Sequence, residues 1–258
     1  MSRNMFATVA VPALTLAASA FTVQADPIDL SVSDPGLSGA VTTDLWTDLT
    51  AQGNPGYGGF PGSGLWPGPI QSQAGSTTPG GAGLVKVSNG SGGGPYPAGS
   101  SIYYGGFSAD INNDGGTLSV QDNTPLADVE NVVFQIQIGE AWTFDFLDEV
   151  LPTLTINGTT TLSGESGYHT LIEQFDNGTV TMPTGEETVY INTWLVQWDL
   201  SSFAEEVTSL EVTFTGVQHA QLYQLRLDQS DSYSLVPEPG SLALIAAGGA
   251  MFMRRRRR

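Results

Sequence analysis

The chain has 258 residues, no cysteine, 32 glycines and a formal charge of −18. Six of its eight basic residues sit at the ends, as Arg3 and Arg254 to Arg258, so the stretch from Asp26 to Val236 sets only Lys86 and Arg226 against 25 carboxylates, a formal −23. Such a surface repels phosphate backbones and excludes nucleic acid as a partner, while the lack of cysteine excludes disulfides, thiolate metal sites and cysteine nucleophiles.

Met1 to Ala25 has the three parts of a secretory signal. Arg3 supplies the positive start, Met5 to Ala20 is almost wholly apolar or small, and Val23-Gln24-Ala25 places small residues where a signal peptidase reads. Cleavage there would leave a mature chain opening on Asp26-Pro27.

Residues 26–235 form the expected body. With 40% hydrophobic and only 13% charged residues in the chain, a folded core is expected rather than a disordered polyanion. Ala40 to Leu49 is β-branched and partly alternating, an early strand. Residues 51–106 are Gly/Pro-rich: Gly53 to Gly106 holds 18 glycines and 7 prolines in 54 residues without a Gly-X-Y period. Long surface loops are predicted there, with Tyr57, Phe60, Trp66, Tyr96, Tyr103, Tyr104 and Phe107 as anchors.

The strand signals strengthen after that. In Asn131 to Gly139, Val132, Phe134, Ile136 and Ile138 face one way, and Val133, Gln135 and Gln137 the other. Trp142, Phe144 and Phe146 alternate with Thr143 and Asp145. Asn157-Gly158 and Asp176-Asn177-Gly178 each read as a hairpin turn. Val189 to Trp198 is partly apolar on both faces, as a strand covered on two sides would be. One helical turn is expected over Ser201 to Val207, and strands follow around Leu210 to Phe214 and Tyr223 to Leu227. Eight or more short strands without a long amphipathic helix predict an all-β, antiparallel β-sandwich, jelly-roll-like, with long Gly/Pro-rich loops.

Catalytic chemistry is thinly represented. His169 and His219 are the two histidines, and no Gly-x-Ser-x-Gly elbow occurs. Glu140, Asp145, Asp148, Glu149 and Asp199 lie near aromatic residues, and a facing pair could cleave a glycoside; among 25 acidic residues such proximity also arises by chance. Asp110, Asn112 and Asp114, followed by Gly115, resemble the start of an EF-hand-type calcium loop, although its twelfth position is Gln121 and Asp122 comes one place late. An exposed turn explains the same residues without metal. Trp66, Tyr103 and Tyr104 are candidate sugar-stacking rings.

At the other end, Val236-Pro237-Glu238-Pro239-Gly240 precedes the apolar run Ser241 to Met253 and the cluster Arg254, Arg255, Arg256, Arg257, Arg258. Thirteen helical residues span about 20 Å, short of a hydrocarbon core of about 30 Å. The arginines would stay cytoplasmic and hold the body outside. This order of parts over 236–258 resembles the PEP-CTERM sorting signal, with Pro237, Glu238, Pro239 and Gly240 as the motif. The resemblance implies processing by an exosortase, transient anchoring in the inner membrane, and delivery to the cell surface or an exopolysaccharide matrix. It implies nothing about the body. The expectation is thus a secreted, non-catalytic surface or matrix protein with a structural or adhesive role. A carbohydrate-binding module is the alternative, and a polysaccharide-degrading enzyme a more distant one.

Overall fold

The computed structural model describes residues 26–182 and 185–236. The expected signal peptide and the tail from Pro237 onward lie outside the described residues. Among those described, thirteen strands follow one another: β1 (Val41–Trp46), β2 (Ile70–Gln71), β3 (Ala82–Asn89), β4 (Pro95–Pro97), β5 (Ile102–Tyr104), β6 (Asp114–Asp122), β7 (Asn131–Gly139), β8 (Thr153–Ile156), β9 (Thr160–Leu162), β10 (Tyr168–Met182), β11 (Gly185–Asp199), β12 (Leu210–Val217) and β13 (Gln221–Ser230). They form two antiparallel sheets. One runs β10-β11-β7-β13-β5-β4, with β1 also paired to β13; the other runs β2-β3-β6-β12-β8-β9. No described helix is long and apolar enough to cross a membrane.

The core lies between the sheets because the period-2 pattern sends one set of side chains from each inward. Val132, Phe134, Ile136 and Ile138 of β7 meet Leu210, Val212 and Phe214 of β12 in one buried cluster. The Phe134 and Phe214 rings, from opposite sheets, stand 5.7 Å apart. Trp46 is wholly buried, and its indole N–H donates to the Ile70 carbonyl at 2.8 Å. Each large apolar side chain buried this way contributes about 1.5–3 kcal/mol.

The outer face of the β7-bearing sheet is covered too, by the two ends of the body. The opening segment crosses it: Gln137 Nε2 donates to the Ile28 carbonyl, Arg226 Nη1 to the Leu30 carbonyl, and Gln135 Nε2 to the Ser33 carbonyl, at 2.8, 3.0 and 2.9 Å. The closing segment Ser232–Val236 lies beside it and packs Val236 against Val133 and Leu195. This explains why β7 is buried at all nine positions, and why β11, expected to be covered on two sides, is partly apolar on both.

Several expectations are corrected. The Gly/Pro-rich region contains β2 to β5, because Ala82 and Leu84 within Ala82–Asn89 can bury despite the surrounding glycines. Asp176-Asn177-Gly178 is a bulge inside β10, with the register shifting between Asp176 and Thr179. Asn157-Gly158 is the expected turn, both residues in the left-handed region. Trp142 to Phe146 is a loop, since Trp142 and Thr143 have φ of 57° and 75°, which no strand accommodates. Ser201 to Val207 contains no helix among the assigned elements.

Candidate functional site

The loop from Glu140 to Leu151 crosses from β7 to β8 at one end of the two sheets. Four of its non-glycine residues, Trp142, Thr143, Asp148 and Glu149, have left-handed backbone, a concentration that marks functional loops more often than passive ones. Glu140 clips the loop to β11: its N–H donates to the Tyr190 carbonyl, and Tyr190 N–H donates to Glu140 Oε1, both at 3.0 Å. Asp145 accepts from Asn192 Nδ2 at 2.9 and 3.0 Å and from Trp194 Nε1 at 2.7 Å.

Burial pushes the Asp145 carboxyl above the usual carboxylate range, and its Trp194 and Asn192 hydrogen bonds pull it partly back. Burial also raises Glu140, and the charge of Asp145 adds to that. Asn192 is buried, and its Oδ1 has no hydrogen-bond partner.

Two clefts flank this network. One, of about 310 Å³, is lined by Glu140, Trp142, Tyr190, His219 and Gln221. The other, of about 320 Å³, is lined by Phe144, Asp145, Glu149, Glu165, His169 and Trp194. His219 is fixed from both sides, with Nδ1 2.6 Å from the Tyr103 hydroxyl and Nε2 2.8 Å from the Ser108 carbonyl. The carbonyl can only accept, so Nε2 carries the proton and Nδ1 accepts from Tyr103 in the neutral ring.

The expected stacking rings fall elsewhere. Tyr104 is wholly buried in the core and Gly216 leaves room for its ring, so it cannot meet a ligand. Trp66 is half-buried, packs edge-on against Tyr57 and donates to the Pro95 carbonyl at 3.1 Å. Tyr103 remains half-exposed beside Tyr96. Neither cleft ring carries a local mark in the sequence: Trp142 alternates like a strand residue while the left-handed backbone that turns it out of a strand has no glycine to announce it, and Tyr190 is an ordinary position of β11 that only the fold brings beside the loop.

The twelve-residue calcium loop is not formed. β6 begins at Asp114 and continues as extended strand to Asp122, so Gln121 lies about 24 Å further along at about 3.4 Å per residue. Gly115 serves close strand approach rather than a turn: a Cβ there would come 2.7 Å from the Val217 backbone. The three side chains also point to different partners, Asp110 to Ser108, Asn112 to Asp148 and Asp114 to the Gly116 N–H. No group of three or more His, Asp or Glu able to hold a metal occurs among the described residues.

Pro237, Glu238, Pro239, Gly240 and Arg254 to Arg258 lie outside the described residues. Their assignment comes from comparison: residues 235–258 match the family model of the PEP-CTERM protein-sorting motif. The match begins inside the described body, at Leu235 and the buried Val236. No curated protein and no solved structure matches the chain.

Proposed function

We propose that this exported protein, whose tail carries the PEP-CTERM motif, is a non-catalytic structural or adhesive component of the cell surface or extracellular matrix. The observation that carries the reading is the tail match at residues 235–258 on a two-sheet body. The Met1–Ala25 segment supports export, the Ser241–Met253 run supports temporary anchoring, and an exosortase-type enzyme is the implied partner. A jelly-roll-like description of the sandwich draws support from β1 lying beside β13 while β12 sits in the opposite sheet. The matched tail carries the localisation, so removing residues 236–258 should divert the protein from the surface fraction. Unchanged fractionation of that deletion would overturn the reading.

A carbohydrate-binding role is the second reading, and the cleft beside Trp142 and Tyr190 favours it. Two half-exposed rings with Glu140 and Gln221 alongside suit a sugar that stacks on aromatic faces and shares hydroxyl hydrogen bonds. The −23 body restricts such a ligand to neutral or cationic glycans. A glycan array probed with the full chain, and repeated with Trp142→Ala, decides between the readings: binding that Trp142→Ala abolishes favours the sugar site, and silence removes it. Turnover of matrix glycan that Glu140→Gln or Asp145→Asn abolished would instead make the protein an enzyme.

A further inference from the structure

The body grips its own chain up to the residue before the sorting motif. Gln197 of β11 and Asn131 of β7 are buried side chains on the outer face of their sheet. Gln197 Nε2 donates to the Ser234 carbonyl at 2.7 Å and to Asn131 Oδ1 at 2.8 Å, and Asn131 Nδ2 donates to the same Ser234 carbonyl at 3.2 Å. Val236 N–H then donates to Gln197 Oε1 at 3.0 Å, and the Val236 side chain, 8% exposed, packs on Val133 and Leu195. Pro237 follows with no linker between.

Pro237 to Pro239 provide at most about 10 Å of extended chain before Gly240 and the apolar run. An enzyme that processes a peptide in an extended form holds several residues along a groove, and a reach this short sets such a groove against the folded body. The clamp is built to open. Ser232–Val236 is held by the Gln197 and Asn131 amides, which water can satisfy once the segment leaves, and by the packing of Val236 on Val133 and Leu195, so opening forfeits the small net value of each hydrogen bond and the burial of one valine side chain, and leaves no orphaned polar group.

We propose that Gln197, with Asn131, is a positioning residue for tail processing: it holds Ser232–Val236 against the sheet, and this segment must lift off before the tail can be processed. The inference rests on the sorting reading above. Processing then proceeds from the minor, open population, and its rate scales with that population.

The test follows conversion of the full-length chain to its tail-free form by pulse-chase, in a host that exports and processes it. Gln197→Ala should speed conversion about tenfold, the effect of losing one to two net hydrogen bonds from the clamp. Inserting six Gly-Ser residues between Val236 and Pro237 should speed it similarly while leaving the body untouched, so this arm holds even if Gln197→Ala fails to fold. The two changes combined should be no faster than the insertion alone. Amide exchange at Val236 should accelerate in Gln197→Ala and stay slow in the insertion variant. An insertion that leaves the rate unchanged, a slower Gln197→Ala in a folded body, or multiplying effects would each overturn the proposal. If the wild-type tail is never processed, the sorting reading itself fails, and this inference with it.

Discussion

Asn112 and Asp148 hold each other twice: Asn112 Nδ2 donates to Asp148 Oδ1, and Asp148 N–H donates back to Asn112 Oδ1, both at 3.0 Å. Each has left-handed backbone, φ 52° and 54°. The pair ties the turn before β6 to the loop between β7 and β8, which carries Trp142 and Asp145. Replacing Asp148 with alanine should cost about 1–2 kcal/mol, and the Asn112→Ala, Asp148→Ala double variant should cost less than the sum of the singles. Urea unfolding of the four proteins measures this, and additive losses would show the tie contributes nothing. The same tie occupies Asn112, so calcium should shift the wild-type melt no more than magnesium. A calcium-specific rise that vanishes in Asp114→Ala would restore the ion-binding reading.

The buried carboxyls set a pH dependence. Glu140 and Asp145 both hold their protons more tightly folded than unfolded, chiefly because of burial, and Asp44 is raised for the same reason. A raised carboxyl contributes stability that is complete below the unfolded value near pH 4 and is lost as pH climbs through the folded value. The melting temperature should therefore rise as pH falls from neutral toward the unfolded carboxylate range of about pH 4. Glu140→Gln, which needs no proton to stay neutral, should melt higher than wild type at pH 7 and show a shallower pH slope. A Glu140→Gln slope equal to wild type would rule out Glu140 as a source.

Arg226 stands in a different balance. It lies two residues before Asp228 on β13, and its Nε and Nη2 donate to the two Asp228 oxygens at 2.7 and 2.9 Å, while Nη1 reaches the Leu30 carbonyl. Asp228 is wholly buried and also accepts from the Thr43 hydroxyl at 2.6 Å. Arg226→Met should cost about 3–5 kcal/mol because it strands that carboxylate. Arg226→Met with Asp228→Leu should recover most of the loss, as replacing a buried pair with apolar groups often does. Differential scanning calorimetry reads both, and a double variant no better than the single would show that the pair itself is needed.

The sandwich faces were legible because Val132, Phe134, Ile136 and Ile138 repeat at period 2 and nothing local contradicts them. The Asn157-Gly158 turn was legible for the same reason, as both residues tolerate left-handed backbone. Trp142 and Tyr104 misled in opposite directions. Trp142 looked like strand but sits in a loop whose backbone only tertiary clips such as Glu140 to Tyr190 sustain, and Tyr104 looked like a loop anchor free to bind but fills the space left by the distant Gly216. Gln135 and Gln137 were polar positions on the second face of β7, and Gln197 lay on a strand whose pattern already read as covered on both sides. All three are buried because the ends of the body fold over them, a long-range event with no periodic trace in β7.

The two cations of the body are both engaged internally, Arg226 with Asp228 and Lys86 Nζ with the carbonyls of Gly62 and Gly64. Burial lowers the Lys86 pKa to about 8, so it remains mostly charged at neutral pH. With 25 carboxylates in Asp26 to Val236 and neither cation free to move among them, folding gathers like charges. Their mutual repulsion acts over a Debye length of about 30 Å at 0.01 M salt and about 8 Å at 0.15 M. Sodium chloride should therefore stabilise the protein across that range by about 1 kcal/mol, raising Tm by about 2–4 °C. Arg226 and Asp228 are shielded from solvent, so the variant replacing both should keep the same salt slope. A Tm that stays flat or falls with salt would show that exposed attractive pairs, rather than repulsion, govern the surface.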